Sequence, residues 1–237
     1  AGTTTTDGVD DRIDLARADI NQNIVNVNEI IDMFDLASEP SNNQILKYNT
    51  TTDRFEVADD STGTTTIGTH DIWVPVQAMY PTADGGSSIL TTVEITEGRP
   101  ELRVLDFDKD TTEFAQFSIA MPKSWNEGTI TFEAYWTAAS GSGGCSWGLQ
   151  GVAVSNDDAV ATAFGTAVVV DDTLIAANDL HISPTSSAIT IAGTPAAGDL
   201  CFFQIFRDHD DSNDTLSADA RLIGIKIHYT TEAGTDD

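Results

Sequence analysis

The 237 residues carry 38 Asp and Glu against 11 Lys and Arg, a formal net charge of −27 at pH 7. Such a surface repels nucleic acid, whose phosphates need Lys and Arg to displace their counterions, and it repels an anionic leaflet. No apolar run approaches the ~20 residues of a membrane span, and the amino terminus has neither the basic nor the apolar region of a signal peptide.

The length allows one sizeable core and an appendage. Acidity of this degree implies solubility, in a medium where salt shortens the reach of each charge. The chain opens Ala1-Gly2, as a cytosolic product does after losing its initiator Met, and it is expected to be complete.

Residues 1–9 are small and polar, Ala1, Gly2, Thr3, Thr4, Thr5 and Thr6 above all. Nothing in them can form a core, so they are expected to be disordered alone and to order on a partner protein, as an anchor. From Asp10 the period changes. Ile13, Ile20, Val27 and Phe34 recur every seven residues, and Arg17, Ile24 and Ile31 fall four after the first three of these. With Ile13 at d, this is a short heptad seam over residues 10–36. β-Branched residues at both a and d favour three strands over two. The stripe is narrow and bordered by Asn and Asp, which suits a trimeric coil better than a helix lying on its own domain.

Glu39-Pro40 breaks that helix. Gln44–Tyr48 and Arg54–Val57 flank Asn49-Thr-Thr-Thr-Asp53, a predicted hairpin with Ile45, Tyr48 and Phe55 as its apolar face. A two-stranded hairpin is barely stable alone, so that face needs neighbouring chains. The hairpin and a Thr-, Asp- and Gly-rich linker, Ala58 to Thr69, fill residues 37–70.

Residues 71–237 are predicted to form one β-domain. Asp71–Val76 opens it, with Trp73 expected at the base of the core. Ile89–Ile95 and Glu101–Phe107 follow; the face parity shifts between Val104 and Leu105, which predicts a bulge or a break. Thr129–Trp136 alternates strictly, Ile130, Phe132, Ala134 and Trp136 on one face and Thr131, Glu133 and Tyr135 on the other. Cys145–Val154, Thr162–Val170, Ala188–Ile191 and Leu200–Arg207 are further strands. Arg221–Tyr229 closes the series with Ile223, Ile225, Ile227 and Tyr229 together. Many short strands between Gly, Pro, Asn and Asp clusters predict a mainly β chain with a C-terminal jelly roll or sandwich. Cys145 and Cys201 are expected to be buried free thiols, since a reducing cytoplasm seldom yields a disulfide.

The chemistry-bearing patterns exclude more than they offer. His70, His181, His209 and His228 are scattered, without a second ligand at zinc spacing. There is no Gly-x-Ser-x-Gly elbow, and Gly141-Ser-Gly-Gly144 lacks the Lys of a phosphate loop. Asp208, Asp210, Ser212, Asp214 and Asp219 fall on ligand positions of a calcium-loop template. Asn213 replaces its Gly, Asp219 replaces its longer Glu, and the flanks are strands, so a solvated turn is expected there instead. No cofactor or metal and no catalytic residue is expected. Exposed aromatics at loops can stack on sugars: Trp125, with Asn126 beside it in a loop, is the first candidate, then Tyr135 and Trp147, although the core is the commoner place for each.

Six words, Ala120-Met-Pro-Lys-Ser-Trp125, Gly128-Thr-Ile-Thr-Phe-Glu-Ala-Tyr-Trp-Thr137, Trp147-Gly-Leu-Gln-Gly-Val152, Ala163-Phe-Gly-Thr-Ala167, Ile189-Thr-Ile-Ala-Gly-Thr-Pro-Ala196 and Ala218-Asp-Ala-Arg-Leu-Ile-Gly224, resemble a β-domain of virion proteins of tailed bacteriophages. The likeness covers roughly residues 100 to 230, and the hairpin after a coil is similar to connectors in phage fibres. The resemblance implies a non-enzymatic virion-surface protein made in the host cytoplasm. Its partners would be two further copies of itself, other virion proteins bound through the N-terminus and, at the outer domain, a host-cell glycan. The short chain points to a head fibre or capsid decoration protein, with a tail fibre or receptor-binding protein as the alternative.

Overall fold

A computed structural model of the chain describes residues 17–23, 34–35, 44–59, 68–196 and 198–232. Two units are distinguished, Ala1–Thr64 and Thr65–Asp237.

In the first unit, residues 17–23 are helical and exposed throughout, Ile20 to 57%. A small sheet follows. Strand β1 (Phe34–Asp35) runs parallel to β3 (Arg54–Asp59), which pairs antiparallel with β2 (Gln44–Asn49) in the order β1-β3-β2. The turn is made by Asn49, whose Oδ1 accepts the amide of Thr51 at 2.9 Å and whose carbonyl accepts that of Asp53 at 2.8 Å. Asp53 sits at φ 57°, where the short polar side chain of Asp is tolerated. The Tyr48 hydroxyl donates to its carboxylate. Cross-strand partners share a face, so Leu46 with Val57 and Tyr48 with Phe55 form the apolar side, and Ile45 lies opposite with Ala58, Lys47 and Glu56. Ile45 is thus removed from the predicted apolar face by the strand's period of two.

Phe34 is a second correction. It is not the last rung of a helix but the first residue of β1, in register with Phe55. The open edge of β3 supplies backbone partners that the end of a helix lacks. The other seam residues, Ile13, Ile24, Val27 and Ile31, and the anchor residues Ala1, Gly2, Thr3, Thr4, Thr5 and Thr6 lie outside the described residues.

The second unit is a jelly-roll sandwich. Its strands are β4 (Thr69–Pro75), β5 (Tyr80–Pro81), β6 (Thr91–Val93), β7 (Leu102–Phe107), β8 (Glu113–Ala120), β9 (Thr131–Thr137), β10 (Gly143–Val154), β11 (Val168–Leu174), β12 (His181–Ile182), β13 (Leu200–Arg207) and β14 (Ala220–Thr230). Among the described residues, one sheet has the order β11-β10-β13-β8-β5 and the other β12-β9-β14-β7-β6, with β4 also paired to β14. The core between them follows alternation: Phe132, Ala134 and Trp136 of β9, Leu222, Ile225 and Ile227 of β14, Ala115 and Phe117 of β8, Trp147 and Leu149 of β10, and Phe203 and Ile205 of β13 are all buried. Cys145 and Cys201 are free and buried among them.

Four local features depart from the sequence expectation. The register of β14 shifts between Leu222 and Gly224, so Leu222 points into the core and Ile223 away from Ile225 and Ile227. A bulge of this kind changes the face of everything before it. Strand β7 is continuous where a break is predicted. It pairs with β6 at Leu102–Val104 and with β14 at Leu105–Phe107, and Val104 and Leu105, on opposite faces of the strand, are both buried. The strand predicted at Thr162–Val170 starts only at Val168 and runs to Leu174. Ala188–Ile191 joins no ladder; the bridges Ile130–Ile189 and Val152–Ala192 show it crossing from one sheet to the other.

The Asp208–Asp219 segment closes one end. Arg207 is 0% exposed; its Nε and Nη2 donate to Asp214 at 2.9 and 2.7 Å, and the same guanidinium donates to the carbonyls of Ala218 and Leu216 at 2.9 and 3.0 Å. Asp214 also accepts the amide of Ser146 at 3.0 Å. This carboxylate is committed to an internal ion pair, so it is not free to ligate a cation. Asp219 accepts the amide of Lys109, and Asp210 lies 3.2 Å from His209. Among the described residues no three His, Cys, Asp or Glu side chains are grouped as a metal needs.

Candidate functional site

The side of the β9–β14–β4 sheet that faces away from the core carries a groove of about 590 Å³. Its floor is apolar and aromatic: Trp73 from β4, Tyr135 from β9, Ile223 from β14 and Leu102 from β7. Trp73 is not in the core. Ile72 is half-buried and packed on the core, and Val74 and Val76 are buried, so Trp73 takes the opposite face and is 46% exposed. Its indole meets the ring of Tyr135 edge to face, centroids 4.9 Å apart. It covers Gly224 of β14, where a Cβ would stand 2.6 Å from the indole. Glycine at that position and the bulged Ile223 beside it seat the tryptophan.

Two loops form the walls. Residues 94–101 contribute Ile95, Thr96, Arg99 and Pro100; residues 175–180 contribute Asn178, Asp179 and Leu180. The second loop is held from below. The buried His181 accepts the Ile175 amide on Nε2 at 2.8 Å, which puts its proton on Nδ1, 2.9 Å from the Asp179 carbonyl. Asn178, at φ 64°, donates its amide to the Ala138 carbonyl at 2.8 Å. The side chains of Arg99, Asn178 and Asp179 make no hydrogen bond or ion pair with another described residue, so both walls offer free polar groups above an apolar floor.

Tyr135 is also held by a cation. The Lys226 ammonium lies 5.6 Å from its ring centroid and 3.1 Å from Glu133. Hydrogen bonding to Tyr135 and Glu133 raises the lysine well above its usual range. Burial pushes the Glu133 carboxyl up, but hydrogen bonds from Lys226 and Thr185 outweigh it and hold the group below the usual carboxylate range.

The residues expected at a glycan surface are elsewhere. Trp125 is 1% exposed and belongs to the core, because its amide turns back to the Pro122 carbonyl and its backbone bridges Thr231. It presents no face to a ligand. Asn126 is exposed, but its Oδ1 accepts the Gly128 amide in a tight turn. Trp147 is fully buried. Of the aromatics singled out, Tyr135 alone reaches the groove. Trp73 was legible from its alternation with Ile72, Val74 and Val76; Arg99, Asn178 and Asp179 come from loops that no periodicity marks.

No protein-family model and no curated protein sequence matches the chain. Solved structures of similar fold include the CBM22-1 xylan-binding domain of Paenibacillus barcinonensis Xyn10C, with 8% identity over 71% of this chain and 97% of that one, TM-score 0.40. The family 11 carbohydrate-binding module of Clostridium thermocellum, in complex with a β-1,3-1,4-mixed-linked tetrasaccharide, has 9% identity over 75% of this chain and 95% of that one, TM-score 0.33. A cycloisomaltooligosaccharide glucanotransferase of Paenibacillus has 12% identity over 62% of this chain, TM-score 0.35, and the chain spans 17% of its length. The likeness is one of fold.

Proposed function

We propose that this chain is a non-enzymatic adhesive protein of a tailed-phage virion surface, and that its sandwich holds a neutral host-cell glycan in the Trp73–Tyr135 groove. The observation that carries the reading is the half-exposed Trp73 on an apolar floor, between walls whose polar side chains are free. A pyranose has an apolar face for an aromatic ring and hydroxyls for polar neighbours, which is the chemistry this groove offers. The net charge of −27 disfavours polyanionic glycans and leaves neutral ones.

The virion setting rests on the sequence resemblance, with a head fibre or capsid decoration protein as the first assignment and a tail fibre as the second. Within it, residues 1–9 anchor the chain to another virion protein and the heptad seam joins three copies. The exposed Leu46 and Tyr48 support that trimer, since the apolar side of the small sheet has too little area to form a core alone.

The test is retention on host cells and on immobilised neutral polysaccharides, compared with Trp73→Ala. Loss of one stacked ring removes about 1.5 kcal/mol, roughly tenfold in affinity. The melting temperature should hold within a few degrees, because Trp73 is already half in water. Fluorescence gives an independent readout: Trp125, Trp136 and Trp147 are at most 1% exposed, so a ligand that protects tryptophan from an aqueous quencher is protecting Trp73. Wild-type protein that binds neither surface, or a Trp73→Ala variant that binds both as well as wild type, defeats the proposal.

A further inference from the structure

The other sheet carries a second arrangement that the groove does not use. Registers across β5, β8, β13 and β10 align Tyr80 with Gln116, Gln116 with Gln204, and Gln204 with Gln150. These four residues form one row across four adjacent strands. Their neighbours along each strand, Ala115 and Phe117, Phe203 and Ile205, and Leu149, are buried, so the row stands on the outward face. Three of the chain's six glutamines are in it. At about 4.8 Å between strands the row spans about 14 Å.

The adjoining rows are apolar or small. On one side Phe114 aligns with Phe206 and Phe206 with Gly148; on the other, Ser118 aligns with Phe202 and Phe202 with Val152. Phe114 and Phe206 are in contact, centroids 5.5 Å apart, and Phe206 covers Gly148, where a Cβ would collide with its ring. These three rows contain no charged residue, in a chain with 49 charged side chains (38 acidic, 11 basic). Gln150 Nε2 donates to Gln204 Oε1 at 2.6 Å. That bond leaves the Gln150 carbonyl oxygen, the Gln204 amide hydrogens and the whole Gln116 carboxamide without a partner among the described residues. The Tyr80 hydroxyl is free in the same sense, and its residue is 49% exposed.

We infer that the Tyr80–Gln116–Gln204–Gln150 row is a second binding strip, separate from the Trp73 groove, for a linear neutral glycan lying across the strands. A carboxamide presents a donor and an acceptor side by side, which matches a pair of adjacent sugar hydroxyls, each both donor and acceptor. Three carboxamides at strand spacing repeat that match along a chain of sugars. Tyr80 supplies a ring at one end, and the half-buried Phe114 and Phe202 supply apolar edges for the C–H faces. The absence of charge selects against ionic ligands: an anion meets no cation here, and a cation meets no carboxylate. Solubility alone does not require such a row, because charged side chains serve that purpose elsewhere on the chain.

The experiment is calorimetric titration of the full chain with the linear neutral hexaoses cellohexaose and maltohexaose, in wild type, in Trp73→Ala, and in Tyr80→Ala combined with Gln116→Ala. Two molecules of at least one hexaose should bind each wild-type chain, and each variant should bind one at its wild-type affinity and the other at least roughly tenfold more weakly. The side-chain amide signals of Gln116, Gln150 and Gln204 should shift on titrating Trp73→Ala, and those of Gln22, Gln44 and Gln77 should not. One molecule per wild-type chain, abolished in Trp73→Ala, overturns the second strip while leaving the groove standing. One molecule that survives Trp73→Ala and is lost with Tyr80 and Gln116 supports the strip and removes the groove. No binding of either hexaose to Trp73→Ala, with its glutamine signals unmoved, overturns the strip.

Discussion

Replacing Asp214 by Ala tests whether the Asp208–Asp219 segment is a structural clasp or a metal loop. The carboxylate is 2% exposed and receives two hydrogen bonds from Arg207 and one from the Ser146 amide. Its removal leaves a guanidinium that is 0% exposed with, among the described residues, only the carbonyls of Ala218, Leu216 and Phe107 as partners. Breaking a buried pair from one side costs about 3–5 kcal/mol, since the remaining charge stays out of water. In a domain of this size each kcal/mol moves the melting temperature about 2–4 °C, so a fall of about 6–20 °C is expected by calorimetry. Adding Arg207→Met to Asp214→Ala should restore much of it, because the stranded charge is then gone. The wild-type melting temperature should not respond to millimolar calcium or to its chelation. A fall of less than about 2 °C in Asp214→Ala, or a calcium-dependent rise in wild type, would show the reasoning to be wrong.

Other outcomes follow from burial and charge. Burial pushes the carboxyls of Asp106, Glu113 and Asp208 up, so the folded state holds their protons more firmly and the stability they contribute is lost as pH rises through their raised pKa values. Glu133, held low, contributes above the ordinary carboxylate range and loses that contribution as pH falls through its own value; thermal melts should therefore show stability rising as pH falls through the range of the raised carboxyls and falling again as it drops through that of Glu133. Burial and Asp199 push Cys201 up to about 12, and burial raises Cys145 well above the usual thiol range, so a colorimetric thiol reagent at about pH 8 should react with neither until the protein is unfolded. Sedimentation at micromolar concentration should give the mass of three chains, and Ile24→Asp with Ile31→Asp should give one chain with the sandwich melt unchanged; a wild-type monomer would remove the coil.

Most strands could be read from alternation, and the exceptions have definite causes. Leu200–Arg207 was legible to the residue, because Cys201, Phe203 and Ile205 alternate with Phe202, Gln204 and Phe206 around one buried face. The bulge in β14 was not legible: Leu222-Ile-Gly-Ile supports two parities, and only pairing with β9 and β4 selects the one that puts Leu222 inside. That shift carries Ile223 to the outer face and leaves Gly224 under Trp73, so an irregularity invisible in one strand builds part of the groove floor. Trp73 shows the opposite error. Its alternation was plain in Ile72-Trp-Val-Pro-Val76, but the size of the indole argued for the core, and size is the weaker argument. Three tryptophans do fill the core; the fourth obeys the period of its strand and faces water, where only a ligand or a partner can cover it. An aromatic that pattern places outside against the preference of its type is therefore a better guide to a binding surface than one in a loop. Trp125 sits in a loop and is buried.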